Sequence, residues 1–276
     1  MIRVDLKLAP QNCTVEDLRH IWRLADDAGF DGVWDFDHFN SIGASTTGPV
    51  FEGWTLLGAM AALTKRVRIG CMVTGVTYRH PAVLAKMAVT VDHLSNGRLD
   101  VGIGAAWAVN EHESLGIPFP PNGSRIRALQ EACVVMKRLW TEPRASYQGT
   151  HYRLSEAVGE PKPLQQPHPP LWIGGQGEKL MLRVVARHAD VWNHTSNDPQ
   201  KSARLSRILD EHCAAIGRDP TAIGRSVQFF YAGEREMFLR LADGLVKEGF
   251  TKLVCGVRSV ADGDAVARLL PRLRAL

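Results

Sequence analysis

Two hydrophobic periods alternate along the chain. Short runs of apolar and small residues read as buried strands. Each is followed by a longer segment with apolar positions three and four apart, the spacing of a helix that buries one face. Strands are expected at Ile2–Leu8, Gly32–Phe36, Arg66–Val73, Leu99–Gly104, Leu171–Gly174, Ala189–Asn193, Ser226–Phe230 and Lys252–Cys255. Helices are expected from Thr14 to near Gly29, over Glu52–Leu63 and Pro81–Leu94, near Ser124–Leu139, from near Glu178, from Asn197-Asp198-Pro199 to Gly217, and over Arg235–Glu248 and Val260–Arg274. Local punctuation agrees with these bounds. Thr14 with Asp17 forms a capping box, Pro81 suits a first helical turn, and Ser95-Asn96-Gly97 stops the helix that Pro81 opens.

One stretch breaks the rhythm. Ala145–Leu154 reads as a hairpin turning at Gln148-Gly149, and Glu160–Pro170 carries too many prolines for a helix or a central strand. The alternation then resumes, so the stretch is an excursion within a single domain spanning residues 1–276. About eight strand–helix units in a chain of this length predict an α/β fold, a (β/α)8 TIM barrel with an excursion before its fifth strand. A doubly wound sheet is the alternative. It usually needs fewer strands, and no convincing dinucleotide fingerprint is present.

In such a barrel, ligands bind where strands end. The stretch Lys65–Pro81, KRVRIGCMVTGVTYRHP, begins as the third strand and runs through small and hydroxyl residues to Pro81. A wide apolar shelf with hydroxyls and a glycine suits a flat ring better than a metal or a naked charge. We read it as the floor on which a cofactor ring lies.

Composition narrows the classes. The 276 residues are 45% hydrophobic and 22% charged, as in a globular protein with a full core. The net charge of +4 comes without a basic stripe interleaved with aromatics, which argues against nucleic acid as a partner. Five scattered cysteines without a CxxC pair favour reduced thiols and a cytoplasmic setting. Met1–Pro10 reads as a short strand rather than a targeting segment, and no membrane span is expected.

Candidate chemistry sits at strand ends. Asp37-His38 follows the second strand; His38 is either a proton carrier or ring contact at the barrel mouth, or a loop histidine tied to backbone. Gly102-Ile103-Gly104 ends the fourth strand, where GxG is a weak nucleotide signal and equally a way for a strand to turn. Trp107 covers a ring or simply packs. Glu111-His112-Glu113 could hint at a metal, but the three are consecutive and no partner cluster at ligand spacing appears, so no metal is expected. Gly174-Gly175-Gln176-Gly177 ends the fifth strand and opens a helix. Free amides, close backbone approach and the positive helix end make an anion seat there, with a tight turn as the alternative. Thr195-Ser196 adds hydroxyls on the neighbouring loop. Together these imply an extended ligand with its ring near strands two to four and its phosphate near strands five and six.

WDFDHF after the second strand, RVRIGCMVTGVTYRHPAVLAKMAVTVDHLSNGRLDVGIGAAW across the third and fourth, and PPLWIGGQG at the fifth together resemble the bacterial luciferase-like superfamily, in particular its coenzyme F420-dependent oxidoreductases. The resemblance covers nearly the whole chain. It implies a (β/α)8 barrel, a non-prolyl cis peptide at Met72–Val73 behind the cofactor ring, and Asp37 and His38 touching the deazaflavin. Met72, Val73 and Thr74 would form the ring floor. Gly175, Gln176 and Gly177 match the phosphate seat, which Gly174, Thr195 and Ser196 complete. His38 would carry a proton or stabilise the ring anion, with Asp37 orienting it. Trp107 and Phe39 would wall the substrate cavity together with Trp54.

The F420-dependent sugar-phosphate dehydrogenases of the family carry a glutamate proton donor where this chain has Trp107, a departure that points away from that reaction. A homodimer acting on a small-molecule substrate is implied, its specificity set by the loops Asn40–Pro49, Ala108–Asn122 and Tyr147–Pro163. Two rivals use the same barrel: an FMN-dependent monooxygenase fed reduced flavin by a separate reductase and consuming O2, and a non-catalytic flavin-binding barrel. A barrel hydrolase finds no Ser/His/Asp arrangement at strand ends.

Overall fold

In the computed structural model, which describes residues 2–43 and 47–276, the first helix opens on the predicted capping box. The Thr14 hydroxyl accepts from the Asp17 amide, and the Asp17 carboxylate accepts from the Thr14 amide. Gly29 closes the helix in the left-handed conformation, at φ 95°. Met1 and residues 44–46, part of the predicted Asn40–Pro49 loop, lie outside the described residues.

The elements run β1 (Arg3–Leu8), α1 (Val15–Ala28), β2 (Gly32–Asp35), α2 (Gly53–Leu63), β3 (Arg68–Gly75), α3 (Pro81–Leu94), β4 (Leu99–Gly104), α4 (Val109–Leu115) and α5 (Asn122–Thr141). A hairpin follows, β5 (Ala145–Gln148) and β6 (Arg153–Ala157). Then come β7 (Leu171–Gly174), α6 (Met181–His188), β8 (Val191–Thr195), α7 (Pro199–Ala214), β9 (Gly224–Phe230), α8 (Arg235–Lys247), β10 (Lys252–Val257) and α9 (Val260–Arg274). Eight strands close a parallel barrel in the order β1-β10-β9-β8-β7-β4-β3-β2, the architecture the alternation predicts. Among the described residues, no helix is long and apolar enough to cross a membrane.

Several boundaries differ from expectation, among them β8, which runs over Val191–Thr195 rather than Ala189–Asn193. A short helix, α4, sits inside the segment read as loop Ala105–Gly123. Helix α6 starts at Met181 rather than near Glu178, because residues 178–180 form turns. Strand β3 runs on to Gly75. The hairpin turns over Gly149–Tyr152, held from α5 by Glu131, whose carboxylate accepts the amides of Thr150, His151 and Tyr152 at 2.9–3.1 Å. The proline-rich excursion is pinned in turn by buried Asp92 on α3, which accepts from the Leu164 and Gln165 amides.

The inside of the barrel is layered. At its lower end a charged plug fills the space: Arg3 reaches Asp5 at 2.9 Å and Asp100 at 2.7 Å, Arg68 reaches Asp100 at 2.6 Å, and the Trp34 indole donates to Asp5 at 2.8 Å. Above it pack Trp34, Met72, Trp172, Val191 and Val254. A far larger apolar cluster fills the space between strands and helices. Among the described residues the interior is therefore closed from below, and it opens at the mouth, at the carboxyl ends of the strands.

Burial works against ionisation of Asp100, but its two arginines outweigh it and hold the carboxyl below its ordinary range. Removing a buried pair's anion strands its cations, so Asp100→Ala should cost about 3 kcal/mol, toward the low end for buried pairs because both arginines reach solvent. Denaturant unfolding measures this. The Asp100 contribution is present above the unfolded carboxyl value of about 3.9 and is lost as pH falls through the lower folded value, so the gap between wild type and variant should shrink in acid.

Candidate active site

Strand β3 does not run straight. Its register against β4 shifts between Cys71 and Thr74, and the Met72–Val73 peptide within the shift is cis. Neighbouring glycines make the room. A Cβ on Gly102 would come within 2.1 Å of the Cys71 carbonyl oxygen, and Cβ atoms on Gly104 and Gly174 would crowd the Val73 side chain at 2.9 and 3.1 Å. The GxG of the fourth barrel strand therefore serves the bulge rather than a phosphate. Met72 and Val73 face a cavity of about 440 Å³ at the barrel mouth. Thr74 does not line it; this buried hydroxyl accepts from the Trp54 indole at 2.7 Å.

His38 stands at one side of that cavity, nearly buried. Its Nδ1 lies 2.8 Å from Glu111 Oε1. Glu111 Oε2 accepts the Phe39 amide at 2.8 Å, and the Tyr78 hydroxyl donates to Oε1. Burial opposes ionisation of Glu111, but the bonds from His38 and Tyr78 win and bring it down to about 2. An ionised carboxylate can only accept, so His38 Nδ1 carries the hydrogen, and Nε2, which has no hydrogen-bond partner among the described residues, is the nitrogen left to take or give a proton. Burial and the bond to Glu111 push the Tyr78 phenol well up, so it stays a donor.

Asp37, the residue expected to orient His38, is buried outside the cavity lining. Arg79 grips its carboxylate with both terminal nitrogens and also reaches Glu52, the N-cap of α2. Asp37 thus ties the loop after β2 to the turn after β3, and the orienting role falls to Glu111. The sequence shows Glu111 only within the Glu111-His112-Glu113 run. On α4 it turns toward His38, while His112 turns to Thr77 at 2.6 Å and the Ala108 carbonyl at 2.7 Å. Among the described residues, no group of His, Cys, Asp and Glu could hold a metal.

Trp107 lines the cavity edge-on to His38, with ring centroids 5.4 Å apart, and is 64% exposed. Phe39 and Trp54 do not wall the cavity as expected. Phe39 packs on Tyr78, Trp54 is buried against Thr74, and Phe36 takes the wall position.

At the other side the cavity meets Gly174, Gly175, Gln176 and Thr195. The Gly175 amide is spent on the Asn193 carbonyl at 3.1 Å, and Gln176 Nε2 donates to the Thr195 carbonyl at 2.8 Å. Gly175 has φ 151°, and a Cβ there would strike Met181 at 2.7 Å. An anion seat here thus rests on the Gln176 and Gly177 amides and the exposed Thr195, not on a helix end, since α6 begins four residues beyond Gly177. Ser196 Oγ donates to the Asp198 carbonyl and accepts the Asp198 amide, both at 3.1 Å. It shapes the cap of α7 and does not line the cavity.

The cavity floor holds a residue the sequence reading passes over. Lys7 on β1 donates to the Met72 carbonyl at 2.8 Å and to Gln228 Oε1 at 2.9 Å. Burial pushes its ammonium down to about 8. A glycine-cleared shelf, a free imidazole nitrogen at one end and backbone amides at the other fit a flat ring with an anionic tail.

Comparison with known proteins places this geometry. A family model described as luciferase-like monooxygenase matches residues 1–263. An uncharacterized protein of Mycobacterium tuberculosis is 36% identical over 61% of this chain and 58% of its own length. An F420-dependent glucose-6-phosphate dehydrogenase of Amycolatopsis mediterranei is 33% identical over 86% of this chain and 71% of its own. The chain thus spans under three-fifths of the first relative's length, and 64% of that of a like-named dehydrogenase from Microbacterium testaceum. Among solved structures, an F420-dependent secondary alcohol dehydrogenase in complex with an F420-acetone adduct superposes with a TM-score of 0.89 at 19% identity, covering 99% of both chains, a likeness of fold. Since the family model matches nearly its whole length, the chain belongs to the luciferase-like monooxygenase family.

Proposed function

We propose that this luciferase-like oxidoreductase binds coenzyme F420 at the barrel mouth and transfers a hydride between the deazaflavin ring and a small uncharged organic substrate. The observation that carries the reading is His38, held through Nδ1 by Glu111 beside the Met72–Val73 shelf, with Nε2 left for a substrate proton. The F420-dependent relatives support the choice of cofactor.

Met72 and Val73 would carry the ring, and Gln176, Gly177 and Thr195 would receive its phosphate-bearing tail. Bound there, the deazaflavin supplies a two-electron hydride acceptor or donor. His38 takes the hydroxyl proton when an alcohol is oxidised and returns it when a carbonyl is reduced. Glu111 keeps the imidazole in the tautomer that makes this possible and offsets the positive charge it gains. Trp107 and Phe36 hold the substrate carbon against the ring and exclude water. The substrate is uncharged because the cation of the described lining, Lys7, lies at the floor on the side of the ring shelf, where it is bonded to the Met72 carbonyl. A sugar phosphate would find no arginine or second lysine along the described lining.

Fluorescence titration of the purified protein with oxidised F420 and FMN tests the cofactor. F420 should bind the more tightly; tight FMN binding with oxygen-dependent turnover would overturn the reading in favour of a monooxygenase. His38→Ala should lower kcat by about 10²–10⁴-fold across a panel of uncharged alcohols and carbonyl compounds, and glucose 6-phosphate should not be turned over. Glu111→Gln should lower kcat by roughly tenfold or more with KM little changed, because Glu111 acts through His38 and not on bound substrate.

A further inference from the structure

The cavity floor contains a buried cation that, among the described residues, no carboxylate meets directly. Lys7 is almost fully enclosed, yet its two hydrogen-bond partners, the Met72 carbonyl and the Gln228 amide oxygen, are both neutral. The acidic groups that act on it through space are Cys71 and Asp35. Burial pushes both well up, and among the described residues neither Asp35 oxygen finds a hydrogen-bond partner, so neither group meets the ammonium directly. A buried ammonium that meets no anion is costly. The same barrel shows the contrast, since at its lower end Arg3 and Arg68 meet Asp5 and Asp100 directly. An ammonium has three donors, and two are used within the protein, so one remains for a ligand.

We propose that Lys7 holds the negative charge that the bound ring acquires on taking up a hydride. The inference rests on the F420 reading above. Lys7 Nζ is bonded to the carbonyl of Met72, half of the shelf on which the ring would lie, so a ring seated there is within its reach. In alcohol oxidation the substrate C–H bond breaks, and its electron pair and hydrogen pass to the ring. The hydroxyl proton passes to His38, and the ring is left one negative charge richer. A fixed cation close to that charge favours the reduced form over the oxidised one. Lys7 is therefore assigned to the cofactor's electronics, while His38 serves the substrate proton.

The test is anaerobic calorimetric titration of wild type, Lys7→Met and Lys7→Gln with oxidised and with reduced F420, without substrate. The absence of substrate separates charge on the ring from charge on a substrate. Lys7→Met should weaken binding of the reduced form at least tenfold more than that of the oxidised form, lowering the midpoint potential of the bound cofactor by about 30 mV per tenfold for this two-electron couple. Lys7→Gln keeps a donor for the Met72 carbonyl but no charge. It should show the same differential, and it carries the test should the methionine variant fail to fold. Equal weakening of both forms, or none, would reduce Lys7 to a structural strut and overturn the proposal while leaving the F420 reading intact. Wild type that binds neither form would overturn both.

Discussion

One extra residue in β3 governs the mouth of this barrel. From Cys71 to Thr74 the strand advances three residues while its partner β4 advances two, from Val101 to Ile103. A bulge of this kind leaves backbone groups outside the ladder, and a buried carbonyl outside the ladder needs a donor. Lys7 supplies it from β1, two strands away, and Gln228 on β9, across the barrel, steadies Lys7. Two other strands give way to the bulge by presenting glycine: Gly102 and Gly104 on β4, Gly174 on β7. The shelf is thus a feature of four neighbouring or facing strands at once, and a side chain at Gly102 would collide with backbone that cannot retreat.

Two carboxylates near His38 do different work, and their partners decide which. Asp37 is adjacent in sequence but is saturated by the Arg79 guanidinium, which bridges it to Glu52 at the start of α2. That clamp fixes the loops around the site. Glu111, far along the chain, meets the imidazole itself, the Tyr78 phenol and the Phe39 amide. Its four lone-pair directions are largely occupied by donors, which keeps it ionised in a buried place and gives His38 a single tautomer. Neighbours in sequence can lie on opposite sides of a loop, so the orienting group came from a helix whose existence the sequence concealed.

What was legible follows the range of the interactions involved. The capping box at Thr14, the proline that opens α3 and the barrel's strand–helix rhythm depend on residues a few positions apart, and the expected bounds of α3, β4 and α9 match the structure. The short α4 lacks a side-chain N-cap and spans only seven residues, too few for a helical period to emerge. With α4 hidden, Glu111 could be seen only as part of an acidic run. The glycine-rich turn after β7 carried the right residues but the wrong geometry, because the Gly175 amide is claimed by the neighbouring strand and the helix begins later. Lys7 was invisible as chemistry: a lysine alternating with apolar residues in a strand reads as an outward side chain, and only closure of the barrel turns it inward.

The two charged layers inside the barrel obey the same electrostatics and reach opposite ends. At the bottom, two arginines share two aspartates, each charge has an opposite within hydrogen-bond distance, and the layer is complete without any ligand. Such a layer can only support the fold. At the top, both hydrogen-bond partners of Lys7 are neutral, and among the described residues no carboxylate meets it directly. Between them lie Trp34, Met72 and Trp172, which keep water and the lower carboxylates away from the ammonium. If the fold needed only a donor for the Met72 carbonyl, a neutral amide like that of Gln228 would serve at lower desolvation cost. A cation buried at the mouth with only neutral hydrogen-bond partners, above a layer where each arginine meets a carboxylate directly, is better understood as half of a pair whose other half arrives with the ligand.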